Sequence, residues 1–122
     1  MKNKPFADYE TSKMLKELGF DLGITDFSKA YDKNGNEVNW TTKHFYCWKP
    51  IWQQVKEWLW EEHWIAFECF YDKEMRKFIC GGWKLDNELT TFKTQSKSPI
   101  ESETKAIQQT IKYLHKQLIN KK

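Results

Sequence analysis

The spacing of apolar positions divides the chain into a short helical opening, an irregular middle and a regular second half. Thr11, Leu15 and Leu18, flanked by Met14, share one face at helical spacing and predict a helix over residues 8–19. Asp8 is suited to accept from the orphan amides at its start, and Gly19 to take the left-handed position past its end. So short a face cannot hold a helix by itself. Over residues 21–48 no single period persists. Asn34-Gly35 is a tight-turn signal in which both residues tolerate positive φ. From Trp40 to Trp48 aromatics fall on both faces, which predicts a peripheral hairpin or an ordered loop. Helical spacing returns with Pro50 as first residue and Ile51, Val55, Trp58, Leu59 and Glu62 as a stripe, a helix over residues 50–63.

Strand formers follow. Ile65, Phe67, Cys69 and Tyr71 would share one face of a strand, and Arg76 to Leu85 read as a second, with a bulge at Gly81-Gly82. A third runs from Glu88 to about Thr94, completing a meander over residues 64–95. Ser98-Pro99-Ile100-Glu101 joins an N-cap serine, a proline at the first helical position and a capping-box glutamate. Ile100, Thr104, Ile107, Ile111, Leu114 and Leu118 then form the stripe of a last helix over residues 98–119. The order α-[hairpin]-α-β-β-β-α predicts one α+β domain over residues 1–122, a three- to four-stranded antiparallel sheet packed against two or three helices.

Composition alters this picture in one respect. An apolar share of 39% and a charged share of 30% would suit a loose chain, but 16% aromatic residues, with seven tryptophans, require burial. The net charge of +3 is uneven: residues 93–122 carry seven lysines against Glu101 and Glu103, leaving −2 for residues 1–92. Met1 to Pro5 precede no apolar run and no window suits a membrane span, so no leader and no membrane partner are expected. Cys47, Cys69 and Cys80 then read as reduced thiols of an intracellular, cytoplasmic protein. Cys69 and Cys80 sit in adjacent predicted strands and could be neighbours, but small buried residues is the plainer reading.

Candidate chemistry is sparse. His44-x-x-Cys47 is one ligand pair where zinc sites show two, so no metal is expected. Glu61-Glu62-His63 lacks the second histidine of a zinc-peptidase helix and reads as a helix end with a histidine at its negative pole. Glu68 falls mid-strand, on the face of Trp64, Ala66 and Phe70. No nucleophile has a base at motif spacing and no glycine-rich loop precedes a helix; catalytic residues and cofactors are expected to be none. Two surfaces remain. Lys105, Lys112 and Lys116 could meet phosphates, although Glu101 and Glu103 oppose the contact that the order helix–strand–strand–strand–helix of double-stranded-RNA-binding domains would place there. Trp60 points away from the Val55–Leu59 stripe, with Lys56 four residues before and Trp64 four after, as in an interaction hot spot; alternatively it packs under residues 31–48.

The ordered string Tyr9-Glu10-Thr11-Ser12-Lys13-Met14-Leu15-Lys16-Glu17-Leu18-Gly19-Phe20-Asp21, followed by Pro50 and Val55-Lys56-Glu57-Trp58-Leu59, resembles a family of small phage and prophage proteins of gut bacteria. It covers roughly residues 8–21 and 48–119. Two departures stand out: Trp60 replaces a frequent basic residue, and Ser98-Pro99-Ile100-Glu101 replaces a tyrosine with paired glutamates. The layout also resembles, more distantly, the phage ABA-sandwich domain. The resemblance implies phage ancestry, and with it the cytoplasm of a bacterial host cell, and carries no functional residues. The expected function is a non-enzymatic phage accessory protein binding a host or phage protein through Lys56, Trp60 and Trp64. The alternatives are nucleic-acid binding by the last helix and small-molecule or nucleotide binding in phage counter-defence. Oligomeric state stays open.

Overall fold

The computed structural model describes residues 6–21, 29–39, 41, 43–84 and 91–120, which form three helices and two three-stranded antiparallel sheets. The α+β class is as expected. The chain divides into two compact units, one of Val55–Thr110, the other of Lys4–Gln54 with Ile111–Lys122.

In the second of these units, helix α1 (Tyr9–Glu17) buries Thr11, Ser12 and Leu15. Asp8 holds the N-cap position, but its carboxylate makes no capping bond; only its carbonyl accepts, from Ser12 N–H at 2.9 Å. The C-terminus follows expectation more closely. Gly19 takes φ +90°, its N–H reaches the Lys16 carbonyl, and Phe20 N–H reaches that of Leu15 at 2.9 Å, a Schellman motif. Strands β1 (Lys29–Tyr31), β2 (Glu37–Asn39) and β3 (Cys47–Trp48) form a sheet in the order β2-β1-β3. The β1–β2 turn uses positive φ only at Gly35, not at Asn34. Gly35 N–H bonds the Asp32 carbonyl, and Asp32 N–H bonds that of Asn36, the geometry of a type I turn closed by a left-handed glycine. Asp32 Oδ1 accepts from the amides of Asn34 (2.8 Å) and Asn36 (3.0 Å), and these bonds hold its carboxyl below the usual range. The alternation over Trp40 to Trp48 yields a strand only at β3; Trp40 and Thr42 lie outside the described residues.

Tyr9 ties helix to sheet. Its hydroxyl donates to the Lys33 carbonyl at 2.7 Å, and its ring meets Tyr31 edge-on at 5.5 Å. Tyr31, itself buried, donates to the Ala7 carbonyl at 2.8 Å. Pro50 does not open the next helix. Helix α2 (Trp52–His63) starts two residues later, and Pro50 is buried with its carbonyl accepting from Ala7 N–H. Ile51 stands at the N-cap, where Gln54 Oε1 accepts its N–H at 2.9 Å, the glutamine half of a capping box.

The other unit carries the remainder of α2 and the meander β4 (Ile65–Asp72), β5 (Lys77–Lys84) and β6 (Thr91–Ser96), in the order β4-β5-β6. The register is continuous from Ile65↔Lys84 to Asp72↔Lys77 and from Trp83↔Thr91 to Phe78↔Ser96. There is thus no bulge at Gly81-Gly82. The glycine is needed for another reason: a Cβ on Gly82 would stand 2.9 Å from Phe67 Cε1 and 3.3 Å from Thr110 Oγ1. Leu85 and Glu88 to Thr90, expected at strand ends, lie outside the described residues.

Helix α3 (Pro99–Asn120) begins at proline as expected, with Glu101 N–H pointing at Ser98 Oγ at 3.4 Å. The capping box is incomplete, because Ser98 N–H goes to Ser96 Oγ and Glu101 turns to Lys105. Its buried stripe also differs from the expected one. Ile100 is 62% exposed, whereas Ser102, Ala106 and Thr110 are fully buried beside Ile107 and Ile111. On α2 only Val55 and Leu59 are buried, and Glu62 is exposed.

Gly82→Ala is expected to destabilise by about 1–3 kcal/mol, as overpacking does, and Phe67→Leu in the same chain should recover part of the loss. Urea denaturation of the two variants measures this; an additive double variant would contradict the contact.

Burial pushes the Tyr31 phenol up to about 12 from 10.0 and the Cys47 thiol up to about 11 from 9.0. Both groups are more protonated when folded. Their contribution is intact below pH 9, begins to fall there, and is lost as pH passes 11 and then 12. Tyr31→Phe should cost about 1 kcal/mol at neutral pH through the unpaired Ala7 carbonyl, and should flatten the alkaline loss. Chemical denaturation at neutral and alkaline pH tests both; an equally steep alkaline loss in the variant would exclude Tyr31 as its source.

Candidate interaction surface

The C-terminus of α2 is built by a helix stop of an unusual kind. Trp64 N–H bonds the Trp60 carbonyl at 3.2 Å, and Trp64 takes φ +58°. This is the single-bond left-handed cap, in which glycine ordinarily fills the position because a Cβ there crowds the following carbonyl. The connection to β4 is that one residue, so the left-handed turn is what converts helix into strand. In such a cap the side chains at its two ends meet. Here they are tryptophans, ring centroids 6.1 Å apart and planes inclined at 57°.

Both rings remain in the open. Trp60 is 48% exposed and Trp64 59%, so exposure, not cover, is the outcome for Trp60. Glu61 and Glu62 are exposed beside them, and Glu68 is exposed on β4. The last turn of a helix also carries the negative end of its dipole. Exposed carboxylates, the negative end of the helix dipole and two inclined rings together form a surface that favours a cation. Lys56 does not belong to it: its Nζ is bound to Glu103 Oε2 at 3.1 Å, linking α2 to α3. At the same helix end, Trp58 and His63 meet edge-on at 4.8 Å.

The three lysines of the last helix are not equivalent. Lys105 pairs with Glu101 at 3.3 Å within one compact unit. Lys112 and Lys116, in the other, are exposed one turn apart. His115, on the neighbouring face, is bound to Glu17 Oε2 at 2.7 Å. Lys16 is drawn over the Tyr46 ring, 4.1 Å from its centroid.

Cys69 and Cys80 face each other across β4 and β5, both as free thiols. Burial pushes Cys80 up to about 12, and the hydrogen-bonded Cys69 thiol adds to the shift. Such a thiol stays protonated at neutral pH and is a poor nucleophile. Among the described residues no three histidine, cysteine or acidic side chains gather as a metal site, and no helix is long and apolar enough to cross a membrane.

Sequence spacing located Trp60 and Trp64 but not the conformation that joins them. The available sign was a helix pattern running into a strand pattern with no glycine between. Comparison with protein-family models, with curated proteins and with solved structures finds no match to this chain.

Proposed function

We propose that the protein is a non-enzymatic binding module that takes a lysine- or arginine-bearing segment of a partner protein on Trp60 and Trp64. The carrying observation is Trp64, a large apolar residue more than half exposed at φ +58°. Glycine in its place would relieve about 1–2 kcal/mol of backbone strain and remove an exposed apolar surface. A tryptophan held there at a cost in stability is accounted for by what its ring touches outside the chain. The choice of a cationic occupant rests on complementarity with Glu61, Glu62 and the helix end, and on the attraction of a cation to tryptophan faces. The resemblance to small phage proteins supports an accessory role of this kind.

Trp64→Gly separates structure from function in one variant. It should gain about 1 kcal/mol in thermal or urea denaturation while losing at least about tenfold in affinity for immobilised peptides bearing Lys or Arg. The same peptides with Gln at those positions are the control. Trp60→Glu should keep the fold and lose the same binding. A less stable Trp64→Gly chain would remove the strain argument; equal binding of the Lys and Gln peptides would remove the function.

A further inference from the structure

The unit formed by Lys4–Gln54 with Ile111–Lys122 contains a cavity of about 190 Å³ between α1 and the segment leading into β3. Its walls are aromatic. Phe20 is held by the Schellman turn, and Phe45 meets Trp48 edge-on with centroids 4.9 Å apart. The indole N–H of Trp48 donates to Asp21 Oδ1 at 3.1 Å, which fixes the ring.

One wall is Ser12, on the buried face of α1. Its side chain is 1% exposed and its Oγ has no hydrogen-bond partner, the only such buried side-chain nitrogen or oxygen among the described residues. Buried hydroxyls are ordinarily paired, because leaving one unmade forfeits its hydration. An orphan hydroxyl in the wall of an aromatic cavity is half of a recognition site: the walls supply area and the hydroxyl supplies direction. Lys16, also lining the cavity, is matched there in charge by Asp21, so the site as a whole asks for no net charge.

Size narrows the class further. An apolar cavity of about 150 Å³ admits benzene, and drug-sized ligands occupy upward of about 300 Å³. Between them falls a single or fused aromatic ring. We propose that this cavity is a binding site for an uncharged planar heteroaromatic of about nucleobase size, stacked among Phe20, Phe45 and Trp48, whose entry parts the wall at Ser12 so that a ring acceptor takes the hydrogen of Ser12 Oγ. The site shares no residue with the Trp60–Trp64 surface, and neither proposal requires the other. The buried thiol of Cys47, which also lines the cavity, stays protonated and contributes packing, not chemistry.

Two fused bicycles of the same shape test the proposal: benzimidazole, which carries a ring-nitrogen acceptor, and indole, which does not. Titrated into the intact protein by NMR, benzimidazole should bind saturably and about tenfold more tightly than indole, the worth of one buried hydrogen bond. Ser12→Ala should raise the melting temperature of the free protein and bring the two affinities together. Phe45→Ala, at a partly exposed wall, should weaken both. No saturable shift with either compound at millimolar concentration overturns the proposal, as does a benzimidazole preference that survives in Ser12→Ala. A Ser12→Ala chain with a lowered melting temperature would show that the hydroxyl already has a partner, and would overturn it equally.

Discussion

The unit containing the β4–β5–β6 meander depends on how closely a helix can approach a strand. At Gly82 the space for a Cβ is already taken by Phe67 and Thr110, so α3 lies nearer the sheet than a side chain on β5 would allow. Ser102, Ala106 and Thr110, four residues apart, supply the matching narrow face. A face this polar could not be buried unless each hydroxyl found a partner. Ser102 Oγ donates to the Phe78 carbonyl, Thr94 Oγ1 to that of Ser102, and Thr110 Oγ1 to that of Ala106. The seam is therefore laced to the backbone at successive levels. It also fixes what can lie beside it: the small Cys80 fits this face of the sheet, and Ile100 is turned outward.

A second constraint is how helices stop. Helix α1 ends at Gly19 with two bonds and no steric cost; α2 ends at Trp64 with one bond and a side chain where none is favoured. The difference in connection accounts for the geometry. A single residue separates His63 from Ile65, so the chain must reverse its curvature at once, and the left-handed conformation does this. It does not account for the residue. Any side chain could be forced into that conformation, and glycine would enter it freely. Tryptophan is among the least suited, and the ring that results is presented outward next to Trp60.

Long periodic elements were legible in the sequence and close tertiary contacts were not. Val55 and Leu59, Ile107 and Ile111, and the proline start of α3 follow from spacing that any helix must obey. The stripe of α3 departs from its apolar spacing at Ile100, because hydrophobicity does not select its buried face. The real selector was size, and Ser102, Ala106 and Thr110 are conspicuous only beside a glycine strand. Gly81-Gly82 makes no bulge for the same reason: a glycine in a strand bends the backbone or clears a path for a neighbour, and here the neighbour decides. The middle segment was harder because its strands span two or three residues each, too short for alternation to register. At the candidate surface the tryptophans were visible and their exposure was not, since helix phase fixes which residues turn from one partner and leaves open whether another covers them.

The two candidate sites share a physical logic. In the meander unit polar groups are buried as pairs, and helix α1 uses glycine where its stop needs one. Trp64 and Ser12 depart from these habits in opposite ways, one by placing an apolar ring outside in a strained backbone, the other by leaving a hydroxyl inside without a partner. Each departure lowers the stability of the free chain, and neither is required by the elements around it: α2 could stop at glycine, and α1 could carry alanine at position 12. At each a more stable choice lies one substitution away, and where activity needs a destabilised group that choice carries a cost in function. Local inconsistencies of this kind are where functional or strained sites are expected. On the proposed readings the aromatic corner, open and acidic at its rim, would take a charged group on a macromolecule, and the cavity, walled by rings and short of one acceptor, a small flat molecule.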